Sequence, residues 1–123
     1  MQVLVVDDAR IMRNIHKNAL IEFNIPEDNI HEAGDGTSAL QIAQNTDIGL
    51  FLVDWNMPGL NGLEFVKALR SMDKYKSTPI IMVTSEAAKY MVVEAINAGV
   101  TNYVVKPIKQ KILEEKIGKY LKK

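Results

Sequence analysis

Five short apolar runs, each followed by a stretch of helical period, constrain this chain more than any other feature. The runs are "VLVV" at 3–6, "NIHEA" at 29–33, "GLFLV" at 49–53, "PIIMV" at 79–83 and "NYVV" at 102–105. Four of the five are apolar almost throughout, which is the pattern of parallel strands covered on both faces. Residues 9–23, 37–45, 63–71, 86–98 and 109–121 read as helices. Met12, Ile15, Ala19 and Phe23 recur near a 3.6 period, as do Leu63, Val66 and Leu69. Asp8 and Ser85 stand where they can cap helix starts, and Gly99 stands where a helix would end. Parallel strands need crossover helices of one hand, so five such units in 123 residues predict one doubly wound α/β domain. A chain of this length buries roughly two-thirds of its unfolded surface, enough for a real core.

Bulk properties exclude several functions. Fifteen basic and fifteen acidic side chains cancel, so no global field recruits nucleic acid or an anionic membrane. Cysteine is absent, which removes disulfides and thiolate metal sites. The start "MQVLVVDD" has no basic leader region, and the apolar runs fall far short of the roughly 18 residues of a membrane span. A cytoplasmic protein is the expectation.

In open α/β sheets, ligands bind beyond the carboxyl ends of the strands, near the reversal of strand order. The residues there carry the chemistry. The first run ends in Asp7 and Asp8, the third in Asp54, the fourth in Thr84 and Ser85, and the fifth in Lys106 and Pro107; the second ends in "GDG", which reads as a plain turn. With strand order 2-1-3-4-5, three carboxylates come from adjacent strands, and a hydroxyl and an ammonium from the next two. Three acids in one cleft repel one another unless a cation joins them. All-oxygen ligands favour magnesium over zinc, which wants His or Cys. His16 and His31 read as ordinary surface or packing histidines away from the strand ends. A metal, an ammonium and a hydroxyl suit a phosphoryl group, and an aspartate can attack phosphorus to give an acyl phosphate. Asp54, alone on the central strand, is the nucleophile candidate; Asp7 and Asp8 are the better metal pair. Each feature alone also fits a turn, a cap or a solvated loop, and the choice rests on all four strand ends together.

The segments "LVVDD", "DWNMPGLNG", "MVTSEA" and "YVVKP" resemble the receiver domains of two-component response regulators, above all its single-domain chemotaxis members, over the whole chain. The resemblance implies a flavodoxin-like fold with five helices, a receiver domain spanning 1–123, and no output domain. Asp54 is then the phosphoacceptor, and Asp7, Asp8, Asp54 and the backbone carbonyl of Asn56 hold Mg2+. Thr84 and Lys106 bind the phosphoryl group, the bond before Pro107 is cis, Thr84 and Tyr103 form the switch, and Asn56 and Glu86 tune dephosphorylation. The implied partners are a histidine kinase as donor and, by the chemotaxis likeness, the flagellar motor switch protein; neither nucleic acid nor membrane is bound directly. On this resemblance the protein is expected to catalyse only its own phosphorylation and dephosphorylation. From Lys106 to Lys123 there are seven lysines and two glutamates, either a solvated helix face or an electropositive docking surface near Tyr90, Val92 and Tyr103. Ile108 and Ala9 depart from the family pattern and leave the subfamily open. The alternatives are a receiver with a non-motor output, or one excised from a longer DNA-binding regulator. A haloacid-dehalogenase-type phosphatase wants a second acid where Asn56 stands, "DDAR" would repel a flavin phosphate, and there is no Walker glycine loop.

Overall fold

The computed structural model describes residues 1–121. In chain order it contains β1 (Val3–Val6), α1 (Arg10–Glu22), β2 (Ile30–Ala33), α2 (Gly36–Asn45), β3 (Leu50–Val53), α3 (Gly62–Arg70), β4 (Ile80–Thr84), α4 (Lys89–Ala98), β5 (Asn102–Val105) and α5 (Gln110–Leu121). The five strands form one parallel sheet in the order β2-β1-β3-β4-β5. This is the doubly wound α/β architecture that the alternation predicts, in the flavodoxin-like form that the family resemblance implies.

Strand periodicity divides the apolar side chains between two cores. Leu4, Val6, Phe51, Val53, Ile80 and Met82 face one side, where α2, α3 and α4 close over them through Ala39, Ala43, Leu63, Val66, Leu69 and Ala95. Val3, Val5, Leu50, Leu52, Ile81 and Val83 face the other, covered by Ala19 and Leu20 of α1 and by Leu113 and Ile117 of α5. Each fully buried side chain of this size contributes about 1.5–3 kcal/mol of transfer free energy. Phe51 meets Phe65 and Tyr75 edge to face, with ring centroids 6.0 and 5.0 Å apart.

The helix ends correct part of the sequence reading. Neither Asp8 nor Ser85 caps a helix: α1 follows Ala9 and α4 follows Ala88, both without a side-chain cap bond. Asp8 instead joins a group of acids. Residues 85–88 stay outside α4, and Glu86 among them is tied through its side chain to Asn56 and through its carbonyl to Tyr103. The "GDG" turn is more than a turn, because Asp35 accepts the Ser38 N–H at 2.7 Å and caps α2. Asn61 and Glu64 form a reciprocal capping box on α3. Gly99 ends α4 as predicted, with φ of +114° in the left-handed region that a side chain would strain. Thr84 is the last residue of β4 rather than the first beyond it. Lys122 and Lys123, part of the lysine-rich end, lie outside the described residues.

Candidate functional site

The site stands at the carboxyl edge of the sheet, where β1, β3, β4 and β5 end side by side. Val6 pairs with Val53, so Asp7 and Asp54 leave their strands together; the Asp54 N–H donates to the Val6 carbonyl at 2.9 Å and the Asp7 N–H to the Ala33 carbonyl at 3.0 Å. On the far side the Lys106 N–H donates to the Thr84 carbonyl at 2.7 Å, which sets the lysine at the next strand ends. The period of two then sorts the side chains. Asp7, Asp54 and Lys106 continue the parity of the α1/α5 face, and their side chains meet. Tyr103 pairs with Met82 and packs on the opposite core, and Thr84, two residues beyond Met82, shares that parity.

One ligand atom from each of Asp7, Asp8 and Asp54 lies within 4.8 Å of the others. Asp7 is wholly buried and Asp54 nearly so, while Asp8 is exposed. The Lys106 ammonium lies 2.7 Å from Asp7 Oδ2 and 3.2 Å from Asp54 Oδ2. Three carboxylates against one ammonium, two of the acids buried and one exposed, leave two formal negative charges, the charge a divalent ion would neutralise. Burial pushes the Asp7 carboxyl above its ordinary range, more than the Lys106 and Ala9 hydrogen bonds pull it down, and the charge of Asp54 adds to the rise. Burial also disfavours the Lys106 ammonium, but the bonds and charges of Asp7 and Asp54 outweigh it and raise its pKa. All-oxygen donors in such a field fit magnesium chemistry.

The neighbouring residues form a second cluster. The Asn56 side-chain amide donates to the Glu86 carboxylate, and the Tyr103 hydroxyl donates to the Glu86 carbonyl. Thr84 is fully buried, and its hydroxyl accepts the Glu86 N–H at 3.4 Å. Glu86 thus links the loop after β3 to β5, and Tyr103 is turned inward. Burial, followed by the charges of Glu86 and Asp54, raises the Tyr103 pKa. The Asn56 N–H donates to Asp54 Oδ1 at 3.3 Å. The Lys106–Pro107 bond is cis. Gly62 is required by a close approach: a Cβ there would lie 2.2 Å from the Asp54 carbonyl oxygen.

Sequence reading missed two residues beside the site. His16 is not simply remote: it is fully buried, feels the charges of Lys106 and Asp54, and neither ring nitrogen has a hydrogen-bond partner among the described residues. Arg13 donates to the Asp7 carbonyl at 2.6 Å. Helical period places His16 on the inner face of α1, but nothing in the sequence pairs Arg13 with a backbone carbonyl.

Fold and site together define a small doubly wound α/β domain with a group of acids and a lysine at the carboxyl edge of its sheet. Residues 3–118 match the response regulator receiver domain, and the chain belongs to that family. It is 46% identical over 118 residues to a "Chemotaxis protein CheY homolog" of Campylobacter jejuni, covering 95% of this chain and 89% of the relative. It is 42% identical to "Chemotaxis protein CheY" of Pseudomonas aeruginosa, covering 97% of this chain and 94% of that one. Among solved structures, Vibrio cholerae chemotaxis protein CheY4 superposes with a TM-score of 0.88 at 34% identity, covering 97% of each chain. Among the described residues, no helix is long and apolar enough to cross a membrane.

Proposed function

We propose that this chain is a phosphorylation-activated receiver of the chemotaxis type, with residues 1–123 forming one receiver domain, in which Asp54 accepts a phosphoryl group from a histidine kinase. The observation that carries the reading is the convergence of Asp7, Asp8 and Asp54 within 4.8 Å, with Lys106 bridging two of them. An Asp54 carboxylate oxygen bonds to phosphorus, the P–N bond of the donor phosphohistidine breaks, and the imidazole leaves with a proton from solvent. Asp7, Asp8, Asp54 and the Asn56 carbonyl hold Mg2+, which when bound neutralises charge on the phosphoryl oxygens. Lys106 supplies a second positive charge and Thr84 a hydroxyl donor. Asn56 and Glu86, joined across the mouth, govern the approach of the water that later removes the group.

The output is a population shift. A change from 1:99 to 99:1 needs about 5.5 kcal/mol of differential stabilisation, a scale that charge-assisted bonds from Lys106 and Thr84 can approach. Thr84 and Tyr103 connect through Glu86, so a displaced Thr84 hydroxyl alters the anchor of the Tyr103 ring. The face of α4, β5 and α5 exposes Tyr90, Val93, Ile96, Val105 and Ile112, while Val92 is half-buried. With the lysines of α5, this face suits an acidic, partly apolar partner such as the flagellar motor switch. Trp55 adjoins Asp54 and is buried, so its fluorescence reports on the site. Magnesium with beryllofluoride changes that signal in the wild type and leaves Asp54→Asn unchanged. An equal response from both proteins, or none from either, would falsify the assignment.

A further inference from the structure

Asp7 is held at four points. Its N–H donates to the Ala33 carbonyl at 3.0 Å, Oδ1 accepts the Ala9 N–H at 2.8 Å, Oδ2 accepts Lys106 at 2.7 Å, and its own carbonyl accepts Arg13 Nη1 at 2.6 Å. The last contact belongs to a chain. Arg13 Nε donates to Glu32 Oε1 at 3.1 Å, and Lys17 Nζ lies 3.2 Å from Glu32 Oε2. Burial disfavours the Glu32 carboxylate, but Lys17 and Arg13 together outweigh that and lower its pKa. Side-chain exposures of 19% for Arg13 and 33% for Glu32 make this a surface-type pair, with a contribution to stability of about 0–1 kcal/mol.

Its geometric effect is larger. The Asp7 carbonyl and the Asp8 N–H belong to one planar peptide unit, so the direction of that carbonyl sets the direction in which the chain enters Asp8. Asp8 is exposed, and its carboxylate has no hydrogen-bond partner among the described residues. Its aim therefore depends on its backbone. We propose that Arg13 is a positioning residue for the divalent-cation site: anchored by Glu32 on β2, it fixes the Asp7–Asp8 peptide and so presents both carboxylates to one ion. The inference rests on the magnesium reading of Asp7, Asp8 and Asp54.

Charge and positioning predict opposite signs. Removing a cation near three acids would, by Coulomb attraction alone, strengthen the binding of a divalent ion. Loss of an outer-shell orienting contact typically weakens metal binding by about 10–100-fold. The experiment is calorimetric titration of the full chain with magnesium chloride, for wild type, Arg13→Met, Arg13→Lys and Glu32→Gln, with metal-free thermal unfolding measured in parallel. Arg13→Met binds about tenfold more weakly than wild type. Arg13→Lys falls between them, because one ammonium can reach the Asp7 carbonyl but cannot bridge it to Glu32; Glu32→Gln also lies between. Equal or tighter binding by Arg13→Met overturns the proposal. So does a loss that follows a lower metal-free unfolding midpoint and is not relieved in Arg13→Lys. If Arg13→Met does not fold, Arg13→Lys and Glu32→Gln decide by the same criterion. Absence of magnesium binding in the wild type would instead remove the metal-site reading on which the inference stands.

Discussion

His16 makes the stability of this domain depend on pH in a way that can be worked out in advance. The imidazole is fully buried on α1, and among the described residues its two nitrogens are the buried side-chain polar atoms without partners. Burial, followed by the positive charge of Lys106 and partly offset by Asp54, lowers its pKa from the usual 6.5 to about 4. Above the unfolded value both states are neutral and pH has no effect through this group. Between the two values the unfolded chain takes up a proton that the folded chain refuses, so stability falls as pH falls, and it levels off below the folded value. A separation of this size corresponds to about 3 kcal/mol in total, of which about 2–3 kcal/mol is lost by pH 4.5.

The assay is urea unfolding of wild type and His16→Val at pH 7.5 and 4.5. Carboxylates titrate in the same range, but they contribute to both proteins and cancel in the difference between them. At pH 7.5 the variant sheds two unmade hydrogen bonds, worth about 1–3 kcal/mol, against the cost of a smaller side chain. On acidification the wild type then loses about 2–3 kcal/mol more than the variant. A difference between the two proteins that stays the same at both pH values would refute the argument, because it would mean that the imidazole titrates alike in both states.

Two further perturbations probe the site. Lys106→Met removes the ammonium held between Asp7 and Asp54, so magnesium binds roughly tenfold more tightly while phosphorylation from a small donor slows; calorimetry and a phosphorylation time course separate the two effects. Gly62→Ala drives a methyl group into the Asp54 carbonyl and Trp55 Cα, at 2.2 and 2.8 Å in the present geometry, so it destabilises the fold by about 1–3 kcal/mol and weakens magnesium binding, read by denaturant titration and calorimetry.

The strand ends were legible because they follow from local pattern. An apolar run followed by an acid needs no tertiary knowledge to be noticed, and Asp7, Asp54 and Lys106 meet where strand order places them. The errors arose where polar residues had two local uses. Asp8 and Ser85 have the chemistry of caps, but Asp8 belongs to the acid group and Ser85 to a loop whose next residue is tied to Asn56 and Tyr103. Asp35 looked idle and caps α2. Between a cap and a ligand, local propensity amounts to about 1 kcal/mol, which a distant contact easily overrides.

Periodicity and composition settled the layered α/β class, the covering of the strands on both faces and the order of acids, hydroxyl and lysine along the chain, because each depends on near neighbours in the polypeptide. Folding alone decided that Arg13 would grip the Asp7 carbonyl, that Glu86 would join Asn56 to Tyr103, and that His16 would be shut away from water. Glu86 meets Asn56 and Tyr103 from segments far apart in the chain, and Arg13, though only six residues from Asp7, is anchored by Glu32 on a separate strand; long side chains choose their partners only once the sheet has set the distances between them.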